Sequence, residues 1–491
     1  MIEDGEVQPE GFTYDLSKID LGKDEAEQDQ RLQEYFLKTS NYRNALAGTK
    51  TIVIGRKGSG KSAIFALMQV ELEESGALVI PITPDQYSWS ALKDYEEKGI
   101  LPEQAHTNAW KLTLLSSVVW KLNESNLVSE SSKLLKYYKY MKDAYVPTPD
   151  GFFNIVEKIK KILSGVKTQW VSFDFEETGT VATPLKVTEE LKALLHAEWP
   201  QGKQVRILID RLDDSWDASE KSQHLIIGLL KAANELNAAF AGKIIVTVFL
   251  RSDIYDNLFF DDQDKLRQYE ETLYWNLDDL KAVVCERVRV SLDIRGINND
   301  EVWENLFSSR PYRSRASAEK YIIDRTFKRP RDIISFVRFA IEEAVRTGHS
   351  VIEPMDTRLA EEEKYSQSKY KDLIIEYQKQ FPYTRNLLDS LSGSLHKLSQ
   401  DALMVRLERF IEHEQLNEQP VQILRQLFIW GVIGVKRQGR AGIKQRGGAH
   451  FVYYYDDPSV NPLTFNDYYI HPSLRHYLNI SEKRERMTRT S

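Results

Sequence analysis

Four short apolar runs alternate with longer stretches of helical spacing over the first 250 residues. Residues 50–54 (KTIVI) are β-branched and lead into a glycine. Residues 61–75 follow with Ile64, Phe65, Leu67, Met68, Val70 and Leu72 near a 3.6-residue repeat, and Gly76 is placed to end that helix. Residues 77–83 (ALVIPIT) predict a second strand, 204–210 (QVRILID) a third and 243–250 (KIIVTVFL) a fourth, with a helix at 219–238. A shorter strand at 271–276 (ETLYWN) closes the series. The order strand, glycine loop, helix, strand opens a parallel α/β sheet.

Around this framework, residues 23–39 predict a polar helix leading into the core. Residues 85–165 predict helices rich in aromatics (Trp89, Trp110, Trp120), which serve packing more often than ligand binding. Residues 166–200 complete an insertion before the third strand. From 278 to 347 the spacing is helical almost throughout, and 350–384 holds a charged linking helix. The segment 385–480 mixes helices with a β-rich end.

Composition narrows the class. At 491 residues the chain is too long for one compact core, so two to four domains are expected. With 42% hydrophobic and 28% charged residues it reads as globular. No apolar stretch approaches the roughly 20 residues that span a bilayer, so no membrane partner is expected. The acidic N-terminus lacks the order of a secretory signal, and the single cysteine, Cys285, cannot form an internal disulfide. Both point to the cytoplasm. A net charge of −7 argues against a dedicated nucleic-acid coat while leaving room for a local basic patch.

The chemistry begins after the first strand. Gly55-Arg56-Lys57-Gly58-Ser59-Gly60-Lys61-Ser62, followed by Ala63, fulfils the G-x-x-x-x-G-K-[ST] pattern in its required strand-to-helix setting. Glycines allow backbone N–H groups to turn inward and leave room for phosphates. Lys61 then reaches the β/γ oxygens, Ser62 ligates Mg²⁺, and the helix N-terminus adds positive potential. The third strand ends at Asp210, positioned to hold Mg²⁺ opposite Ser62. A carboxylate that orients attacking water is also needed, but the residue after Asp210 is Arg211, so Asp213 and Asp214 are the candidates. Their bland alternative is a solvated acidic turn.

Three further features sit outside the loop. Arg251, at the end of the fourth strand, is a candidate sensor of the terminal phosphate; the competing reading is a surface ion pair with Asp253 or Asp256. Lys328-Arg329-Pro330-Arg331-Asp332 opens a helix, with Pro330 at its first position and an acid in its first turn. Were that helix part of a lid, Pro330 would face the base and Arg331 the phosphates; otherwise the segment is a well-started helix with a basic face. Finally, Lys436, Arg437, Arg440, Lys444 and Arg446 populate a glycine-rich hairpin, suited to a phosphate backbone or to an ordinary solvated loop.

Together these motifs resemble the STAND branch of P-loop ATPases, related to AAA+ and origin-recognition-type proteins. The likeness lies in GRKGSGKS, in ILIDRLDD with its spaced acidic pair, in VTVFLRSD, in a helical lid opening at KRPRD and in a following winged-helix-like region. It implies an α/β fold with a parallel sheet of order 5-1-4-3-2, ATP and Mg²⁺ as ligands, and a nucleotide-controlled open/closed switch. Lys61 and Ser62 would act on phosphates and metal, Asp210 on Mg²⁺, Arg251 as sensor, and Pro330 at the base. Arg211, where the family commonly has a small residue, is a departure. The expected division is a lead-in (1–40), an ATPase core (41–277) with an insertion at about 85–200, a lid (278–348), a linker helix (349–384), a winged-helix-like domain (385–480) and a disordered tail (481–491). The expected function is an ATPase switch that assembles with itself and licenses a protein effector, with bacterial anti-phage defence a setting drawn from the resemblance. The alternatives are a DNA-binding loader or regulator gripping duplex through the winged helix, and a scaffold that scarcely hydrolyses.

Overall fold

A computed structural model of the chain describes residues 14–83, 102–143, 184–437 and 450–482. It separates into two compact units, one formed by Ala26–Leu32 and Lys38–Tyr274, the other by Met1–Glu25, Gln33–Leu37 and Trp275–Ser491.

The first unit is built on a five-stranded parallel sheet. Its strands are β1 (Ile52–Gly55), β2 (Leu78–Ile82), β3 (Val205–Ile209), β4 (Ile244–Arg251) and β5 (Glu270–Thr272). Their spatial order is β2-β3-β4-β1-β5, the expected 5-1-4-3-2. Register puts Gly55 beside Arg251 and Ile82 beside Ile209, so the loop after β1 and the tips of β3 and β4 share one edge of the sheet. Strands β1, β3 and β4 are buried almost throughout, as a central parallel sheet covered on both faces requires. The helices Lys61–Glu74, Pro102–Glu124, Pro184–Ala197 and Glu220–Phe240 belong to this unit, and Trp110, Leu114, Leu225, Leu229 and Phe240 are fully or almost fully buried in its core. Trp110 is there for packing: its indole N–H donates to the Leu225 carbonyl at 3.0 Å. About half of the expected insertion, 85–101 and 144–183, lies outside the described residues.

One buried cation shapes the entrance to β1. Arg206 on β3, 2% exposed, donates to the carbonyls of Leu46 (2.8 Å) and Ala45 (3.1 Å). These carbonyls end the helix Ser40–Ala47, where the Gly48 N–H already caps Ala45, so the guanidinium satisfies the Leu46 carbonyl and complements the helix dipole.

The second unit holds two hydrophobic cores. The first gathers the helices Leu277–Leu292, Asn299–Leu306 and Pro330–Thr347. It also takes in Tyr14, Leu16 and Leu21, so the N-terminal arm folds here. Ser291 Oγ donates to the Lys18 carbonyl (3.0 Å), Arg287 to the Leu21 carbonyl (3.0 Å), and Arg338 to the Gly22 carbonyl (2.9 Å) and the Asp24 carboxylate (2.7 Å). The long polar helix expected over 23–39 is replaced by short turns and the single-turn helix Leu32–Tyr35. The segment has no continuous apolar stripe to seat a long helix, and its anchors fall in different units.

The second core, winged-helix-like, packs the helices Ser366–Tyr377, Thr384–Asp389, Gln400–Glu414 and Pro420–Ile429 with an antiparallel sheet. That sheet comprises β6 (Lys397–Ser399), β7 (Ile433–Arg437), β8 (His450–Val452) and β9 (Asp467–Ile470), in the order β6-β9-β7-β8. Gly434 is required between its strands, because a Cβ there would lie 2.6 Å from the Tyr453 ring.

A buried charge cluster connects the two cores. Asp332, in the first turn of the helix Pro330–Thr347, receives Lys369 Nζ at 2.8 Å and Arg329 Nε at 2.9 Å, while Arg329 also reaches Glu376 at 3.2 Å. Lys369 is 1% and Asp332 0% exposed. Burial alone would push the Asp332 carboxyl up, but Arg329 and Lys369 outweigh it and hold the group well below the usual carboxylate range. Phe327, just upstream, packs into the second core and stacks on His471 with ring centroids 4.3 Å apart.

Candidate functional site

The loop between β1 and the helix Lys61–Glu74 takes its shape from three glycines. Gly58 and Gly60 adopt positive φ angles of 80° and 97°, which side-chain-bearing residues resist. Gly55 faces a different constraint: a Cβ there would lie 2.3 Å from Ser59 Oγ and 3.2 Å from Leu273 Cδ1. Gly60 is the N-cap and provides no side-chain cap to the first amides of the helix, leaving them to an anion. The helix itself is pinned beneath by Ile64, Phe65, Leu67 and Met68, with Phe65 edge-on to Phe249 of β4 at 5.7 Å.

Lys61 is buried and curls back over the loop, donating to the carbonyls of Gly55 (2.8 Å) and Arg56 (3.2 Å). Burial pulls its ammonium below the ordinary lysine range, and Asp213 and Asp210 pull in the opposite direction. Ser62 Oγ donates to Asp210 Oδ2 at 3.0 Å, a contact that joins residues 148 positions apart. Asp210 is 4% exposed; burial raises its carboxyl above the usual range, opposed by Lys61.

The acidic turn after β3 begins with Arg211, whose φ of 62° swings the chain away from the strand and leaves its side chain exposed. Asp213 points back. Burial would raise its carboxyl, but Arg251 and Lys61 prevail and hold it low, hence ionised. The side chain of Asp214 lies outside the described residues. Arg251 is 8% exposed and makes the ion pair named as the competing reading, with Asp253 rather than Asp256. That pair is shielded rather than superficial. Nε and Nη2 meet the Asp253 carboxylate at 2.9 and 2.6 Å, and Nη1 stands 3.5 Å from Asp213 Oδ2.

The remaining predicted residues belong to the second unit. Pro330 is buried at the first position of its helix. Arg331, beside it, is partly exposed, with its Nε buried and unpaired among the described residues. Lys436 and Arg437 lie exposed at the end of β7, where Arg437 pairs with Asp457 at 2.8 Å. Arg440, Lys444 and Arg446 fall outside the described residues. Neither Asp253 nor the buried Lys369 carries a sequence motif; the i, i+2 spacing of Arg251 and Asp253 is the one hint the chain offers.

With this geometry in place, comparison with known proteins adds a regional match. The FunZ-associated C-terminal helical domain matches residues 278–374. The chain is also similar to the transposon gamma-delta 80.3 kDa protein of Escherichia coli (strain K12), at 24% identity over 441 residues. That alignment covers 85% of this chain and 61% of the relative's length. Among solved structures, Cdc6p from Pyrobaculum aerophilum aligns at 14% identity and a TM-score of 0.31, covering 87% of this chain and 92% of that one. The Aeropyrum pernix ORC2 protein aligns at 10% identity and 0.29, covering 94% and 92%. The fold assignment rests on the strand order itself.

The donor set suits magnesium. A hydroxyl and a carboxylate oxygen lie 3.0 Å apart, both hard ligands, at the head of a helix whose free amides suit phosphate. Among the described residues no group of three or more His, Cys, Asp or Glu side chains forms a self-sufficient metal site. Mg²⁺ at a nucleotide needs none, since phosphates and water supply its other ligands. Among the described residues no helix is long and apolar enough to cross a membrane.

Proposed function

We propose that the chain binds MgATP at the β1 loop, hydrolyses it, and uses the bound nucleotide as a switch. The observation that carries the reading is the Ser62–Asp210 contact at 3.0 Å, beneath a lysine confined to the mouth of a glycine loop. When bound, Mg²⁺ would be held by Ser62 and Asp210 and would neutralise phosphate charge. The residues of the chain do the rest. Lys61 exchanges its present partners, the Gly55 and Arg56 carbonyls, for β/γ oxygens, and the loop amides donate beside it. Arg251 stabilises charge on the terminal phosphate. Asp213, kept ionised by Arg251 and Lys61, accepts a hydrogen bond from the attacking water and orients it.

The test is binding of a fluorescent ATP analogue with and without Mg²⁺. Lys61→Ala should abolish binding, and Asp210→Asn should remove most of its Mg²⁺ dependence and turnover. Wild-type affinity in Lys61→Ala would end the reading. For the switch, native mass measurements with ATP, ADP or no nucleotide should show a change in assembly or compactness. A self-assembling ATPase that licenses an effector is the function these pieces serve, and phage plating on cells carrying wild-type or Lys61→Ala protein tests the defence setting.

A second reading, DNA contact, has one observation in its favour. The helix Pro420–Ile429 exposes Gln422 and Arg425 and contains no acid, and the exposed Lys436 and Arg437 lie at the end of β7. Duplex binding that weakens with salt and with Arg425→Ala and Lys436→Ala would support it; unchanged binding would remove it.

A further inference from the structure

Among the described residues two carboxylates compete for Arg251, unequally. Asp253 takes the Nε–Nη2 edge with both oxygens, at 2.9 and 2.6 Å. Asp213 has only Nη1, at 3.5 Å, the outer limit of a hydrogen bond. The difference originates in the chain path. β4 ends at Arg251, and the short helix Ser252–Tyr255 begins at once with Asp253 in its first turn, so the carboxylate folds back on the strand tip. Asn257 Nδ2 donates to the Asp253 carbonyl at 2.6 Å and fixes the turn, while Ile254 and Tyr255 are buried in the core. The Arg251 and Asp253 side chains are 9% and 14% exposed, against 29% for Asp213. A planar guanidinium gripped along one edge can no longer turn, so its remaining corner has a fixed aim.

We propose that Asp253 is a positioning residue for Arg251. By occupying the Nε–Nη2 edge it leaves Nη1 as the corner that exchanges Asp213 for the terminal phosphate of a nucleoside triphosphate. The inference rests on the nucleotide reading of the loop and adds to it a means of discrimination. A diphosphate leaves the long Nη1–Asp213 contact in place. A triphosphate replaces it and releases the Asp213 carboxylate for water. The weak contact is the one given up, and the strong one is the pivot.

The experiment measures ADP and adenylyl-imidodiphosphate affinity by displacement of a fluorescent ADP, together with kcat and KM for ATP. Asp253→Ala should lower kcat by about ten- to a hundred-fold, the scale of a misaimed catalytic group. It should also erode the preference for triphosphate over diphosphate while ADP affinity moves less than about twofold. Asp253→Glu, which restores a carboxylate, should recover part of kcat. Wild-type kcat and preference in Asp253→Ala would overturn the proposal. So would an equal loss of both affinities with a lowered melting temperature, which marks a merely structural role. Failure of the wild-type protein to bind either nucleotide would instead overturn the loop reading, and this proposal with it.

Discussion

Replacing Lys369 by methionine tests whether the buried cluster stabilises the second unit. The substitution keeps the length of the side chain and removes only the ammonium, leaving Asp332 Oδ1 without its 2.8 Å donor while Arg329 still holds Oδ2. Breaking a fully buried pair costs about 3–5 kcal/mol. Because Arg329 remains, the lower end, about 3 kcal/mol, is expected. Hydrogen–deuterium exchange read by mass spectrometry localises the effect: the slowest amides of 330–347 and 366–377 should exchange roughly a hundredfold faster. Asp332→Asn added to Lys369→Met should recover part of the loss, since the neutral amide strands no charge and its oxygen still accepts from Arg329 and from the Phe327 N–H, while Arg329 keeps Glu376. Acid gives a second reading. The folded-state value of Asp332 is depressed, so its contribution is present in full above the unfolded value of about 4 and is lost as pH falls through the folded one. In Lys369→Met the folded value rises towards the unfolded one, so this acid-dependent loss is smaller and is complete at a higher pH. Exchange within about fivefold of wild type, with an unchanged acid limb, would refute the reasoning.

Other outcomes follow from single contacts. Gly55→Ala forces a methyl against Ser59 and Leu273 and should weaken ATP-analogue binding at least about tenfold while the fold persists, as read by titration and circular dichroism. Arg206→Met strips the Leu46 carbonyl of its guanidinium donor, the Ala45 carbonyl keeping the Gly48 N–H, and should cost about 1–2 kcal/mol in urea unfolding of the sheet unit, with little change in nucleotide affinity once folded. Gly434→Ala must displace the Tyr453 ring and should cost about 1–3 kcal/mol in the winged-helix-like core, measured by the same exchange experiment.

The sheet was legible because its strands are continuous apolar runs and its loop obeys a strict pattern. The runs at 50–54 and 243–250 fall within two residues of β1 and β4. The pairing of Ser62 with Asp210 was foreseeable for the same reason: two motifs with fixed roles must meet. What could not be read were partner choices decided by a few tenths of an ångström. Arg251 has both a phosphate and an aspartate available in the pattern, and only the folded chain shows the aspartate taken edge-on. The segment KRPRD gave its helix start correctly, yet its most constrained members are Arg329 and Asp332, because Lys369, an apparently solvated lysine 37 positions on, turns inward. The arm is irregular where its charge pattern predicts a polar helix, because charge patterning says nothing about which distant surface a segment will join.

The folding of that arm with residues 275 onward makes the phosphate-loop unit an insertion within another unit's chain. A ribosome making this protein finishes the sheet first, and at about 5–20 residues per second the arm waits roughly 15–60 seconds for Arg338 to emerge and secure it. Deleting the first two dozen residues would therefore leave the earliest-folding part of the molecule intact and damage the part made last.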